Sequence, residues 1–201
     1  MVGDWPRADN YYRWSPYCYV LDNPIKLFDP NGKWPEKIHN RMIKETFKGV
    51  LSEKQIATLC YASKFADKAE YQTIGYSYRH AMSPQGMRAD EAANLYNNFI
   101  NDYSGMALNF NSDFGLFMLG IALHAIMDNS SPTHKGFQEW KGVKMPLFGL
   151  LHRLGEGTAA YESKDNQVDI ELAKQEMLKK VKEWLENGTI DENSILLEEA
   201  I

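Results

Sequence analysis

The segment that most restricts the fold of this chain is residues 112–129, which read SDFGLFMLGIALHAIMDN. Its apolar residues lie on nearly all faces of a helix, which is the pattern of a helix that other elements surround. Two polar residues in it, His124 and Asp128, are four positions apart and therefore point the same way. We expect a central buried helix that presents a nitrogen and a carboxylate oxygen together.

Helical patterns also fill most of the remaining chain after residue 34. Pro35 suits a first helical turn, and Ser52 is a plausible N-cap with Glu53 behind it. The sequence therefore predicts an all-α fold. The expected helices are 36–51, 52–68, 90–103, 112–129, 146–161, 168–186 and 192–200.

The first 33 residues have a different character. They are rich in aromatic residues and in the turn-forming pairs Asn23-Pro24, Asp29-Pro30 and Asn31-Gly32, and the YCYV run suits a short strand. We therefore predict a domain boundary at residue 34, with an extended segment over 1–33 and a helical domain over 34–201.

Composition excludes some classes of function. The chain has 201 residues, enough for one domain with a sizeable core, and its net charge of −5 is unlike the basic surface of most nucleic-acid-binding proteins. Cys18 and Cys60 belong to no CxxC pair, so neither a disulfide framework nor a zinc-thiolate site is expected. Residues 1–21 lack the apolar run of a signal peptide, and no segment is long and apolar enough to span a bilayer.

The histidines of this chain predict a metal site. His134 follows the His124 and Asp128 pair beyond Pro132, and a second four-residue pair occurs at His152 and Glu156. Zinc accepts mixed nitrogen and oxygen ligands of this kind. Taken alone, His124 could be a core histidine, and the His152 pair could be a solvated helix pair. The additional histidines, His39 and His80, favour a polynuclear site.

The stretch SPYCYVLDNPIKLFDPNGK in the first segment resembles the end of the Rhs (rearrangement hotspot) core, with its Asn-Pro and Asp-Pro-x-Gly elements. In that family a β-shell encloses a variable C-terminal toxin and cleaves itself just after the DPxGx motif. The resemblance implies an exported bacterial effector, with the core shell of the parent protein and a cognate immunity protein as partners. Residues 34–201 would be the toxin domain.

Residues 34–161 resemble the superfamily of zinc-dependent phospholipases C and single-strand-specific zinc nucleases, which are compact helical enzymes with three zinc ions. The core HAIMDNSSPTH fits the H-x3-D-x3-P-x-H pattern of that superfamily, and FADKAEYQTIGYSYRH supplies an Asp and a His upstream. By this resemblance Asp67 is a ligand and general base, although Glu70, one turn away, could substitute for it. The ligands implied are Trp34, His39, Asp67, His80, His124, Asp128, His134, His152 and Glu156.

Trp34 connects the two resemblances. In the zinc superfamily an N-terminal Trp binds one zinc through its free amine and carbonyl. Cleavage after Lys33 would make Trp34 the first residue, five positions before His39. An amide nitrogen has no usable lone pair, so cleavage would build a ligand as well as release the domain.

The resemblance implies hydrolysis of a phosphodiester by a water that the metal activates. A Glu as the last ligand, here Glu156, resembles the phospholipase branch. The Trp34 to His39 spacing and the Phe-Ala-Asp sequence ending at Asp67 resemble the nuclease branch. We lead with cleavage of phospholipid headgroups and keep a single-strand nuclease as the alternative. A non-catalytic, metal-stabilised passenger domain of an Rhs protein is the third possibility.

Overall fold

A computed structural model describes residues 34, 36–71, 73–140 and 158–188 of the chain. The predictions for residues 1–33, for the helix at 192–200 and for most of the helix at 146–161 lie outside these ranges. The α-helices of the described part are α1 (Glu36–Phe47), α2 (Glu53–Ala66), α3 (Ala89–Leu108), α4 (Asp113–Asn129), α5 (Thr158–Glu162) and α6 (Gln167–Asn187).

The predicted all-α class is confirmed. Between the α-helices lie 3₁₀ helices at Ala69–Tyr71, Ile74–His80 and Lys164–Asn166. The described ranges contain no β-strand, and the β-bridges in them, Lys48 with Leu51 and Ser83 with Glu139, are isolated. None of the described helices combines the length and the apolar character that crossing a bilayer requires.

Helix α4 is the centre of the fold, as its sequence predicts. Every residue from Leu119 to Asp128 is buried. Helices α2 and α3 pack most extensively against α4, and α1 and α6 also contact it. Polar side chains on the inner end of α4 are therefore enclosed by other elements, and they require partners there.

A glycine lets α2 approach α4 closely. A Cβ atom on Gly120 would lie 2.5 Å from the Cβ of Ala62 and 3.4 Å from the Cα of Leu59. Only a residue without a side chain allows this spacing. The next residue of α2, Ser63, thereby comes within hydrogen-bond distance of His124 on α4.

The ends of the helices have local causes. At the start of α2, the Ser52 side chain accepts from the backbone N–H of Gln55, and the Gln55 side chain accepts from that of Ser52, as in a capping box. Helix α1 ends at Phe47 rather than at residue 51, because Gly49 turns the chain with a φ of 79°. Helix α3 continues to Leu108, beyond the expected end at residue 103.

The link between α2 and α3 contains a 3₁₀ helix that the sequence did not predict. It runs from Ile74 to His80 and ends at Ala81, whose φ of 53° is left-handed. His80 is 2% exposed, so its ring lies in the core and not on the surface of the link. This segment brings a third histidine against α4.

Candidate metal centre

Asp128, near the end of α4, is the residue on which the centre converges. It is completely buried. Its Oδ1 lies 3.0 Å from Nε2 of His39, and its Oδ2 lies 2.9 Å from Nδ1 of His80 and 3.1 Å from Nε2 of His124. Oδ1 of Asp128 therefore faces His39, and Oδ2 faces His80 and His124.

Asp67 is the second carboxylate that faces Nε2 of His124. It caps the C-terminal end of α2. Its Oδ1 is 3.4 Å from Nε2 of His124, and its Oδ2 is 3.7 Å from Nδ1 of His39. Glu70, the alternative at this position, is exposed and belongs to neither ligand group, so the geometry favours Asp67.

Two overlapping groups of potential ligands result. His39, His124 and Asp128 form one, and Asp67, His80 and His124 form the other, with the ligand atoms of each group within 4.8 Å of one another. The groups share His124 and combine side chains from α1, the end of α2, the 3₁₀ helix and α4. Imidazole nitrogens and carboxylate oxygens form a donor set that suits zinc and its first-row neighbours.

The environment keeps Asp128 ionised. Burial acts to raise the pKa of its carboxyl group. Its electrostatic interaction with His124 and hydrogen bonds with His124, His39 and His80 outweigh that effect, so the pKa of Asp128 is held well below its usual value. Asp128 is therefore an anionic acceptor in the core, which is the form that binds a cation.

Ser63, which no sequence pattern predicted as a site residue, holds the ring of His124. Its Oγ lies 3.0 Å from Nδ1 of His124. A partner on one ring nitrogen fixes the orientation of an imidazole and directs the other nitrogen to a metal. The His124 ring also meets those of His39 and His80 edge to face, at centroid distances of 4.5 and 5.2 Å. No spacing in the sequence marks Ser63, because its contact with His124 depends on how α2 packs on α4.

The described residues bring together five of the predicted ligands, namely His39, Asp67, His80, His124 and Asp128. Trp34 and His134 are buried and stand outside both groups. The indole Nε1 of Trp34 donates to Oγ of Ser130 at 3.3 Å, two residues after Asp128. His152 and Glu156 lie outside the described residues.

No protein-family model, curated protein sequence or solved structure matches this chain. The resemblance to the zinc phospholipases and nucleases therefore remains a prediction.

Proposed function

We propose that this protein is a zinc-dependent phosphodiester hydrolase that cleaves phospholipid headgroups. The observation that supports it most directly is the position of Asp128, whose two oxygens face different imidazoles in two overlapping ligand groups. A carboxylate placed in this way can bridge two cations, and paired cations are the usual device for phosphodiester hydrolysis.

Convergence of nitrogen and oxygen atoms favours a metal centre over a polar network of the core. Nε2 of His124 lies 3.1 Å from Oδ2 of Asp128, 3.2 Å from Nδ1 of His80 and 3.4 Å from Oδ1 of Asp67. One ring nitrogen carries a single proton or a single lone pair and cannot satisfy three such neighbours. A cation among them would stabilise all of these lone pairs together.

Asp67 differs from the other four residues of the centre in its access to water. Its side chain is 24% exposed, whereas the exposure of His39, His80, His124 and Asp128 is 2% or less. The centre is therefore open to solvent on the side of Asp67. A substrate would enter there, and this carboxylate can accept the proton of an attacking water as a general base.

The buried residues would hold the cations, and Asp67 would orient the water. Bound zinc would polarise the phosphoryl oxygens and lower the pKa of a nearby water. The three imidazoles supply nitrogen ligands without charge, and the two carboxylates offset part of the positive charge of the ions. Enclosure by α2 and α4 excludes bulk water from the inner side, which strengthens these electrostatic interactions.

The phospholipid assignment draws on the aromatic and cationic side chains around Phe65. Phe65, two residues before Asp67, packs against Tyr71 and Phe117, and Lys68 lies 4.1 Å above the Phe65 ring. Aromatic and cationic side chains together suit the headgroup region of a bilayer. The net charge of −5 favours a phospholipid over a polyanionic nucleic acid.

The test presents the zinc-loaded protein to phosphatidylcholine vesicles and to single-stranded DNA in parallel, with and without residues 1–33. We expect the protein to release phosphocholine from the vesicles and to retain tightly bound zinc. Asp128→Asn should abolish both, whereas Asp102→Asn, which changes an exposed carboxylate of α3, should alter neither.

The other results separate the alternatives. Hydrolysis of DNA alone would replace the phospholipase assignment with the nuclease. Bound zinc without hydrolysis of either substrate would indicate a non-catalytic passenger domain. A folded protein that binds no metal would overturn the metal centre itself.

A further inference from the structure

A cavity adjoins the candidate centre on the side of His80. Its volume is about 30 Å³, and its walls include Phe65, Tyr71, Arg79, His80, Phe99 and Tyr103. A single water molecule requires roughly 10–15 Å³ on the same measure, so the cavity has room for one or two small groups. Within its wall, Arg79 is the neighbour in sequence of a metal-ligand candidate.

Aromatic rings surround the guanidinium group of Arg79. Its Cζ lies 4.2 Å from the ring centroid of Tyr76, 5.1 Å from that of Phe99, and 5.9 Å from those of Tyr71 and Tyr78. Rings in these positions attract a cation through their quadrupoles, and they leave its charge in place. The cage therefore positions Arg79 without neutralising it.

One polar atom of Arg79 is not satisfied by the part of the chain that the structure describes. Its Nε is buried and has no hydrogen-bond partner there. No carboxylate of these residues forms an ion pair with it, in contrast to Arg41 and Arg88, which each pair with acidic side chains at 2.7–3.0 Å. A guanidinium stays protonated even where it is buried. An uncompensated positive charge in a cavity wall is a site for an anion.

We propose that Arg79 binds a phosphoryl oxygen of the substrate beside the metal centre. This inference rests on the proposed function, and it assigns a substrate contact that no spacing in the sequence indicated. Arginine presents several N–H donors in one plane, a geometry that matches phosphate oxygens. Because Arg79 and His80 line one cavity, an anion held by Arg79 lies next to the ligand group of His80, Asp67 and His124.

The test measures the binding of inorganic phosphate to the full-length, metal-loaded protein by titration calorimetry, without turnover. Arg79→Met keeps an unbranched side chain for the aromatic cage and removes the charge. We expect it to weaken phosphate binding about 10- to 100-fold, which is the usual effect of losing a charged hydrogen bond, with the metal content unchanged. Arg88→Met is the matched control, because Arg88 is exposed and pairs with Asp90, and it should bind phosphate as the unmodified protein does.

Arg79→Lys guards against a failure of Arg79→Met to fold. It preserves the cation and the ring contacts but loses the planar group of donors, so we expect an intermediate affinity for phosphate. Equal affinity in the folded Arg79 variants and the unmodified protein, at equal metal content, would overturn the inference. Phosphate binding that depends on Arg79 in a protein without hydrolytic activity would support this site and reject the proposed function.

Discussion

At the scale of single residues, the two nitrogens of His124 have separate roles. Nδ1 contacts Ser63, and Nε2 faces Asp128, His80 and Asp67. If the N–H of the ring is directed to Ser63, the lone pair of Nε2 is directed to the centre. In that tautomer, a serine with no ligand role sets which nitrogen of the histidine can bind a metal.

We expect Ser63→Ala to lower the affinity for zinc about 10- to 100-fold, because the His124 ring loses the partner that orients it. Competition with a chromophoric chelator measures this change. Ser104→Ala is the control, since Ser104 is also buried but its Oγ has no hydrogen-bond partner among the described residues. Equal zinc affinities for the two variants would show that Ser63 does not orient the ring.

At the scale of secondary-structure elements, the approach of α2 to α4 decides which side chains can meet. Gly120 faces Ala62 and Leu59 across this contact. Alanine is the better helix former, so helix propensity and packing make opposite demands at this position. Packing has the larger effect, because the interior has no room for the extra methyl group.

Two glycine substitutions separate these effects. Gly120→Ala should destabilise the fold by about 1–3 kcal/mol, the usual range for overpacking. Gly105→Ala, in α3, should be neutral or stabilise the fold by up to about 1 kcal/mol, because a Cβ there meets no atom within 4 Å. Denaturant unfolding of both variants measures the difference. A Gly120→Ala protein with an unchanged free energy of unfolding would mean that α2 and α4 can move apart without loss of stability.

The sequence predicted the elements whose signals are local. The apolar character of α4 and the N-cap at Ser52 were sufficient for those two features. The expected end of α1 at residue 51 was wrong, since the left-handed turn at Gly49 stops the helix earlier. The 3₁₀ helix that carries His80 was missed, because its tyrosine-rich sequence has no clear period.

The candidate site divides in the same way. The spacing of His124 and Asp128 predicted that these two residues lie together. The proximity of His39, Asp67 and His80 to them was expected only from the resemblance. Ser63 and Arg79 could not be predicted. Their roles depend on contacts between segments that are far apart in the sequence, which no local pattern records.

At the scale of the whole molecule, Glu45 joins three helices on the outer side. Its carboxylate accepts from Arg41 on α1, Tyr161 on α5 and Lys174 on α6, at 2.7–2.8 Å. Burial acts to raise the pKa of Glu45, but hydrogen bonds from Lys174, Arg41 and Tyr161 outweigh it and lower the pKa to about 2. Glu45 therefore connects the end of the described chain to its beginning.

The contribution of Glu45 to the free energy of unfolding should be lost in acid. The pKa of Glu45 falls from 4.5 to about 2 on folding, so its contribution is complete above 4.5 and is lost as the pH decreases towards 2. We expect about 1 kcal/mol, a modest value because the side chain is partly exposed. The measurement is the free energy of unfolding of metal-free protein at about pH 7 and pH 3. Because the loss is not complete until about pH 2, Glu45→Gln should show a smaller decrease than the unmodified protein by part of that amount, and Glu186→Gln, on the exposed end of α6, should not.

The role that the resemblance implies for Trp34, zinc binding through its α-amine, is tested by changing the N-terminus. A protein that begins at Trp34 should bind about one more zinc than the same protein with a single residue added before Trp34, because a free α-amine with a pKa of roughly 7.7–8.0 can donate a lone pair and an amide cannot. The hydrogen bond from Trp34 to Ser130 already holds this side chain at the C-terminal end of α4. Equal zinc content for both forms would show that the α-amine of Trp34 is not a zinc ligand.

The position of α4 has a consequence for biosynthesis. A ribosome makes α1, α2 and α3 before α4, yet each of these helices buries side chains against α4. Until residue 129 has left the exit tunnel, the nascent chain exposes these apolar surfaces. During that time His39, Asp67 and His80 lack His124, the residue that the two ligand groups share. Folding of the domain must therefore wait for most of its length to be synthesised, and during that interval the growing chain is a natural client for chaperones.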